Sequence, residues 1–285
     1  MLPESQPAFP EPMVETLLRP TSGWAGLNLS ELWAYRELLA FFVWRDLKVR
    51  NKQTAFGALW AVIQPVMLML VFSLFLGRLG GIAPPDVPYS LFALAGLVPW
   101  LLFAKSLASS ADSLVSAANL IQKVYFPRLL LPLAALGSHL LDYLIALIVL
   151  IVVGLGLGFA PSATIIWIVP LTALTLTVAL AAGVWLSAAY VRYRDVRQLI
   201  PFLIQLWLFA SPVAYSSSLV PTQWIWLYRL NPMANVIEGF RWAMFGVGVP
   251  PPAGEVLGSA IATVGVLLAG LAYFRRVERT FADAI

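Results

Sequence analysis

His139 and Asp142 stand three positions apart in an otherwise apolar run, so any helix that carries them presents both on one face. An imidazole beside a carboxylate is proton-handling chemistry, and an Asp at mid-bilayer costs roughly 2.5–3.5 kcal/mol on insertion scales, which makes it a functional candidate by default. Three roles fit: a structural pair, a proton relay or catalytic pair, or a substrate contact. Arg128 precedes Asp142 by 14 residues, so the pair can lie near a membrane face or meet a charge from another segment. Catalysis would also need a third ligand or orienting group, and the sequence offers no second carboxylate at that spacing and no clustered metal ligands. The absence of cysteine excludes disulfides, thiol catalysis and cysteine metal sites.

Energy coupling is the next chemistry to look for. A phosphate-cradling loop needs glycines followed by Gly-Lys-Ser/Thr. Only Lys105 precedes a serine, and Pro99 and Ala104 stand where the glycines would have to be. Any ATP must therefore be hydrolysed by another polypeptide.

Three polar or aromatic clusters remain. Arg45, Lys48, Arg50 and Lys52 close a segment that opens at Ser30 and Glu31, a helix start, and mixes Leu32, Trp33, Leu39, Phe42 and Trp44 with charges. Such a helix suits a membrane surface, its cations facing lipid phosphates at about 1 kcal/mol each. They serve either as an anchor or as the receiver of a substrate's phosphate headgroup. Between Asp112 and Arg128, residues 116–125 form a short helix that Pro127 ends. Leu120, Ile121, Val124 and Tyr125 give it an apolar face, read either as a loop lying on lipid or as a plug for a cytoplasmic partner. From Leu219 to Gly246, two short helices broken at Asn231-Pro232 carry Trp224, Trp226, Tyr228, Phe240, Trp242 and Phe245. Aromatic residues anchor at a bilayer interface, and their faces also stack on sugar rings.

The elements that must position these groups follow from charge-free runs. With 60% hydrophobic and 11% charged residues, the chain carries more apolar surface than a soluble core can hide. A bilayer core of about 30 Å takes roughly 20 helical residues. Spans are expected at about 56–76, 88–108, 129–158, 164–190, 199–215 and 256–274. From Tyr143 to Val191 no charge appears over 49 residues, more than two crossings' worth, so the chain must turn back, and Gly158-Phe-Ala-Pro-Ser162 supplies the break. Residues 1–29 contain five prolines and read as a disordered cytoplasmic lead-in rather than a signal peptide, followed by an amphipathic interface helix over 30–53 and a transmembrane domain over 54–285. Fifteen of the eighteen Lys and Arg residues fall on the side of the termini, and only Arg78, Arg229 and Arg241 on the other. By the positive-inside rule both termini are cytoplasmic. The net charge of +4 then reflects topology and calls for no nucleic acid.

The wording of three blocks resembles one family. Arg45-Asp-Leu-Lys-Val-Arg-Asn-Lys-Gln-Thr54 with Gly57-Ala-Leu-Trp60 and Gln64-Pro65 forms the first. Gly96-Leu-Val-Pro-Trp100, Asn119-Leu-Ile-Gln-Lys-Val-Tyr-Phe-Pro-Arg128 and Pro132 form the second. Arg194-Asp195, Ser211-Pro212, Asn231-Pro232-Met233 and Glu238-Gly-Phe-Arg241 form the third. In order and spacing they are similar to the membrane-spanning subunits of type-2 ABC transporters that export polysaccharides. The resemblance implies an all-α integral membrane protein of six transmembrane helices, with an interface helix, a cytoplasmic coupling helix and outer re-entrant helices between spans five and six. It implies a permease of the bacterial cytoplasmic (inner) membrane, not catalytic by itself, that pairs with a second copy and with two separate ATPase subunits. The ATP and magnesium would belong to those subunits, and this chain would bind no cofactor or metal. The substrate would be a lipid-linked polysaccharide such as O antigen, capsule or teichoic acid. Asn119, Leu120, Ile121, Gln122, Lys123, Val124 and Tyr125 would form the coupling helix. Trp60, Phe72, Trp207 and Phe209 would line a channel between the two copies, while Trp224, Trp226, Tyr228, Phe240 and Trp242 would close its outer mouth. A type-2 exporter of a drug or lipid, a proton-coupled carrier using His139 and Asp142, and a membrane-embedded transferase are the rival readings.

Overall fold

The computed structural model describes residues 29–52, 56–82, 84, 87–246 and 250–278. The lead-in expected over residues 1–29 lies outside them, except for Leu29. Every regular element among the described residues is helical: α1 (Leu29–Ala34), α2 (Arg36–Asn51), α3 (Trp60–Phe72), α4 (Tyr89–Ser116), α5 (Ala118–Lys123), α6 (Leu130–Gly156), α7 (Ile168–Arg192), α8 (Val196–Phe209), α9 (Ile225–Arg229), α10 (Pro232–Phe245) and α11 (Ala253–Glu278), with short 3-10 turns between some of them. After α3 the same rod widens into a π-helix over Ser73–Leu79.

Five of these rods are long and apolar enough to cross a bilayer: Gly57–Leu79, Tyr89–Ser116, Leu130–Gly156, Ala163–Arg192 and Ala253–Glu278. The multi-pass membrane class read from composition holds. The fifth expected span does not form a full crossing: α8 has 14 residues, roughly 21 Å of helix, and ends at Phe209 instead of continuing to Tyr215. Ser211-Pro212 follows directly, and a proline there removes the amide that the next helical turn would need. The second rod departs the other way. α4 runs through Lys105 and Asp112 to Ser116, so residues assigned to a loop belong to a helix of 28 residues.

α4 is the hub, with most of its residues from Leu91 to Leu107 enclosed by α3, α6, α7, α8 and α10. Lipid tails are as apolar as leucine, so helices here are held by close packing and hydrogen bonds rather than by expulsion of water. The α4 and α7 contact shows the device. Ser110 packs against Gly183, where an added Cβ would collide with the Ser110 side chain, and the small residues Ser106, Ser113, Thr175 and Ser187 are buried on the same two helices. Several of these hydroxyls bond back to their own helix, Ser113 to the Ser110 carbonyl and Thr175 to the Leu171 carbonyl. α11 closes on α7 through Trp185, whose ring stacks on Tyr273 at 5.0 Å and whose Nε1 donates to the Val266 carbonyl.

The expected reversal lies where proline and glycine placed it. α6 ends at Gly156, Gly158 takes φ +84°, which only glycine adopts freely, and the chain re-enters at Ala163. The element between α8 and α11 is also the expected pair of short helices, α9 and α10, broken at Asn231-Pro232.

Candidate functional site

Five side chains from three helices meet where α2 ends. Arg50 reaches from the last turn of α2 to α6: its Nη2 donates to Asp142 Oδ1 at 2.8 Å and its Nη1 to His139 Nδ1 at 2.8 Å. From α4, the Lys105 Nζ stands 3.5 Å from Asp142 Oδ2, and the Ser109 hydroxyl lies 2.7 Å from His139 Nε2. A guanidinium only donates, so Nδ1 must accept and the imidazole carries its proton on Nε2, which donates to Ser109. His139 is thereby held neutral, between a cation and a hydroxyl. A second proton on Nδ1 would break the Arg50 bond and add a charge beside two cations. The arrangement is that of a positioned ion cluster, and it removes the ring nitrogen a proton carrier would use. The sequence pair His139 and Asp142 was legible. Lys105 and Arg50, 37 and 92 residues away from Asp142 in the chain, became their partners only through the fold.

The four basic residues at the end of α2 do not act as one surface. Arg45 bonds its neighbour Asp46, Lys48 lies over the Trp44 ring at 4.6 Å, Lys52 is exposed, and Arg50 alone turns inward. α2 packs along the first half of α6, with Phe42 edge-on to Phe126 at 5.4 Å.

At the end where α4 and α6 approach each other in sequence, α5 covers Ala118–Lys123. Ile121 is buried against the chain's own core and Leu120 packs beside it, whereas Asn119, Gln122, Lys123, Val124 and Tyr125 are exposed. Only part of the apolar face expected of this segment is thus open to a partner, and it lies at Val124 and Tyr125, just past the end of the helix. Partial desolvation and the nearby Glu31 and Glu278 carboxylates push the Tyr125 phenol up, so it stays a neutral donor.

The opposite end is built around Asn231 and Arg241. Asn231 caps α10 by accepting from the Met233 amide at 3.0 Å, and the same Oδ1 takes the Trp207 indole N–H at 2.9 Å. Its Nδ2 donates to the Ala210 carbonyl and to Ser211 Oγ. One amide therefore ties the frayed end of α8 to the start of α10. Arg241, fully enclosed, lies over the Phe92 ring at 3.5 Å and donates to the carbonyls of Phe92 and Val213. Gly96 makes room for it, since a Cβ there would come within 2.7 Å of Arg241 Nη2 and 2.8 Å of the Val213 oxygen. One carboxyl oxygen of Glu238 is enclosed without a hydrogen-bond partner, and burial pushes this carboxyl up from its ordinary range, with Ser217 and Arg241 offsetting part of the effect.

Beside this knot opens a cavity of about 610 Å³ lined by Trp207, Tyr215, Trp224, Tyr228 and Asn231 among others. Trp224 and Trp226 are exposed and Tyr228 and Trp242 half-buried, but Phe240 is enclosed on all sides in the core and cannot face a mouth in this conformation. Of the residues considered for a channel wall, Trp60 and Phe209 are exposed, Phe72 packs partly against the α4 core, and Trp207 is half-buried, edge-on to Phe103 at 4.7 Å. Among the described residues no group of three or more His, Cys, Asp and Glu side chains forms a metal site.

The chain matches the ABC-2 type transporter family over residues 37–245. It is 30% identical over 257 residues to the O-antigen export system permease protein RfbA of Myxococcus xanthus, covering 90% of this chain and 98% of that one. It is 28% identical to the protein of the same name in Klebsiella pneumoniae, covering 87% and 95%. It is 22% identical to the polysialic acid transport protein KpsM of Escherichia coli, covering 82% and 91%. The matched stretch contains the α2–α4–α6 ion cluster, α5 and the Asn231–Arg241 knot together, and on that match this chain is a member of the ABC-2 type transporter family.

Proposed function

We propose that this chain is the membrane-spanning subunit of an ATP-driven exporter of a lipid-linked polysaccharide. The observation that carries the reading is the nearly end-to-end similarity to O-antigen export permeases, which leaves no long segment of either chain unmatched. A 30% match in the family also fits a drug or lipid exporter. The aromatic cavity at the α8–α10 end favours sugar, because flat faces of Trp and Tyr offer stacking surfaces for pyranose rings.

In this reading two copies pair, and α3 with the open face of α8 flanks the path between them. Trp60, Phe72, Trp207 and Phe209 stand along it, and Trp224, Trp226, Tyr228 and Trp242 at its outer end. The termini and α5 lie in the cytoplasm of a bacterial inner-membrane protein, with α8 and the turns beyond it forming the sixth passage. Two ATPase subunits bind there and hold the ATP and magnesium. α4 extends 11 residues beyond Lys105, and α6 needs 12 to reach Asp142, so α5 stands roughly 16–18 Å from the ion cluster at 1.5 Å per residue. Two stiff helices joined by α5 make a lever: ATPase closure displaces α5, and α4, as the hub, passes the motion to α3, α8 and α10. The basic end of α2 meets lipid phosphates at the membrane face.

Replacing Val124 and Tyr125 by aspartate tests this. The variant is expected to reach the membrane in normal amount, lose copurification with its ATPase and stop surface display of the polymer, with lipid-linked polymer accumulating inside. Normal display by that variant would contradict the coupling role.

A further inference from the structure

We infer that Arg50 and Lys105 form a binding site for the phosphate of a membrane lipid, with Asp142 as its internal stand-in. Two cations face a single carboxylate: Asp142 gives Oδ1 to Arg50 at 2.8 Å and Oδ2 to Lys105 only at 3.5 Å, and His139 is neutral. The cluster therefore keeps one net positive charge beside apolar helices, where an unneutralised charge is costly. Lys105 has three N–H donors and, among the described residues, this one loose partner.

The cluster also lies at the level where a phosphate is found. Ala61 and Pro65, in the first turns of α3, line one small recess with Lys105, His139 and Asp142. The polar group thus sits where the first apolar rod enters the bilayer, on the side of the termini. The recess itself holds about one water, so a headgroup would sit outside it, against side chains 33% exposed at Arg50 and 26% at Lys105. Phosphate oxygens would take the donors that Asp142 leaves, while His139, fixed by Ser109, holds the guanidinium beside Asp142.

The proposed export function bears only on which lipid occupies the site, a bulk phospholipid or the lipid end of the substrate. The test is therefore a binding measurement that needs neither transport nor ATPase. The purified full chain in a maltoside detergent is titrated with dioleoylphosphatidic acid, a polyprenyl phosphate and, as the phosphate-free control, dioleoylglycerol, with bound lipid counted by native mass spectrometry. The wild type should bind one phosphate lipid per chain roughly ten-fold more tightly than dioleoylglycerol. Lys105→Gln should lose about five-fold for both phosphates, and Lys105→Arg should restore it. Asp142→Asn should bind phosphate more tightly than wild type, the opposite of what a merely structural ion pair would give. Preference for the polyprenyl phosphate assigns the site to the substrate's lipid, and equal binding assigns it to bulk phospholipid. Dioleoylglycerol binding as tightly as phosphatidic acid, or a Lys105→Gln protein with an unchanged melting temperature and unchanged phosphate affinity, would overturn the site.

Discussion

Arg50 does two jobs with one guanidinium, since it neutralises Asp142 and, as a group that can only donate, fixes the His139 tautomer. Removing it leaves a carboxylate with a single distant cation. Arg50→Ala is expected to lower stability by about 2 kcal/mol, less than a fully enclosed pair would cost because both groups stay partly open. Adding Asp142→Asn to it should cost little more than Arg50→Ala alone, which a double-mutant cycle of melting curves in detergent would read as strong coupling. Gly96 offers a second contrast. Gly96→Ala drives a methyl against Arg241 and the Val213 carbonyl and should destabilise by about 1–3 kcal/mol, whereas Gly265→Ala meets nothing within 4 Å and should be neutral or stabilising. Glu238 titrates in a direction that can be checked. Its carboxyl is raised by burial in the folded protein, so the protonated form is the one the fold prefers. The stability it contributes is complete below the ordinary carboxylate value of 4.5 and is lost as pH rises through the raised value. Glu238→Gln should therefore melt higher than wild type at pH 8, with the gap closing at acid pH; an equal gap at both would contradict the burial argument.

At the scale of elements, the sequence was most legible where a rule is local. The turn at Gly158 and the break at Asn231-Pro232 follow from backbone preferences of single residues, and the structure has both. Long apolar runs also gave five rods correctly, because hydrocarbon thickness sets their length. α8 was misjudged in extent: apolar composition continues past Phe209, but the helix stops there because Asn231 captures the Ala210 carbonyl and Ser211 from 20 or more residues away. α4 was misjudged in the other direction, since Asp112 looks like a loop residue although the helix runs on through it to Ser116. The segment proposed to meet the ATPase divides in the same way. Ile121→Asp should unfold the α2–α6 corner and lower protein yield, because Ile121 is buried there, while Tyr125→Asp should leave melting unchanged and weaken ATPase binding at least ten-fold by the cost of burying a charge in an interface. Equal effects of the two on stability would remove the distinction between core and docking face.

At the scale of the whole molecule, the fold is a hub with unequal surroundings. α4 is packed on nearly all sides, whereas the α3 rod and the far face of α8 present Met67, Leu70, Val71, Leu74, Phe75, Phe202, Leu206 and Phe209 outward. Family wording in the sequence pointed to pairing of two chains. Periodicity could not, because a rod apolar all round does not say which face meets lipid and which a second copy. A cysteine pair absent from the natural chain can be introduced at Phe75 and Phe209 for cross-linking. In native membranes either position should yield chain-to-chain dimers, and equal cross-linking from Ile148, on the outer face of α6, would contradict this choice of faces.

Under the proposed function, this chain moves a lipid-linked polymer only when levered by a separate ATPase. Co-reconstitution into liposomes with fluorescently labelled lipid-linked polysaccharide tests it most directly, reading how much polymer reaches the lumen and escapes a quencher outside. Protected polymer is expected with the chain, the ATPase and ATP together, and none when the ATPase is inactivated or left out. Protection by this chain alone, or driven by a proton gradient without ATP, would contradict it.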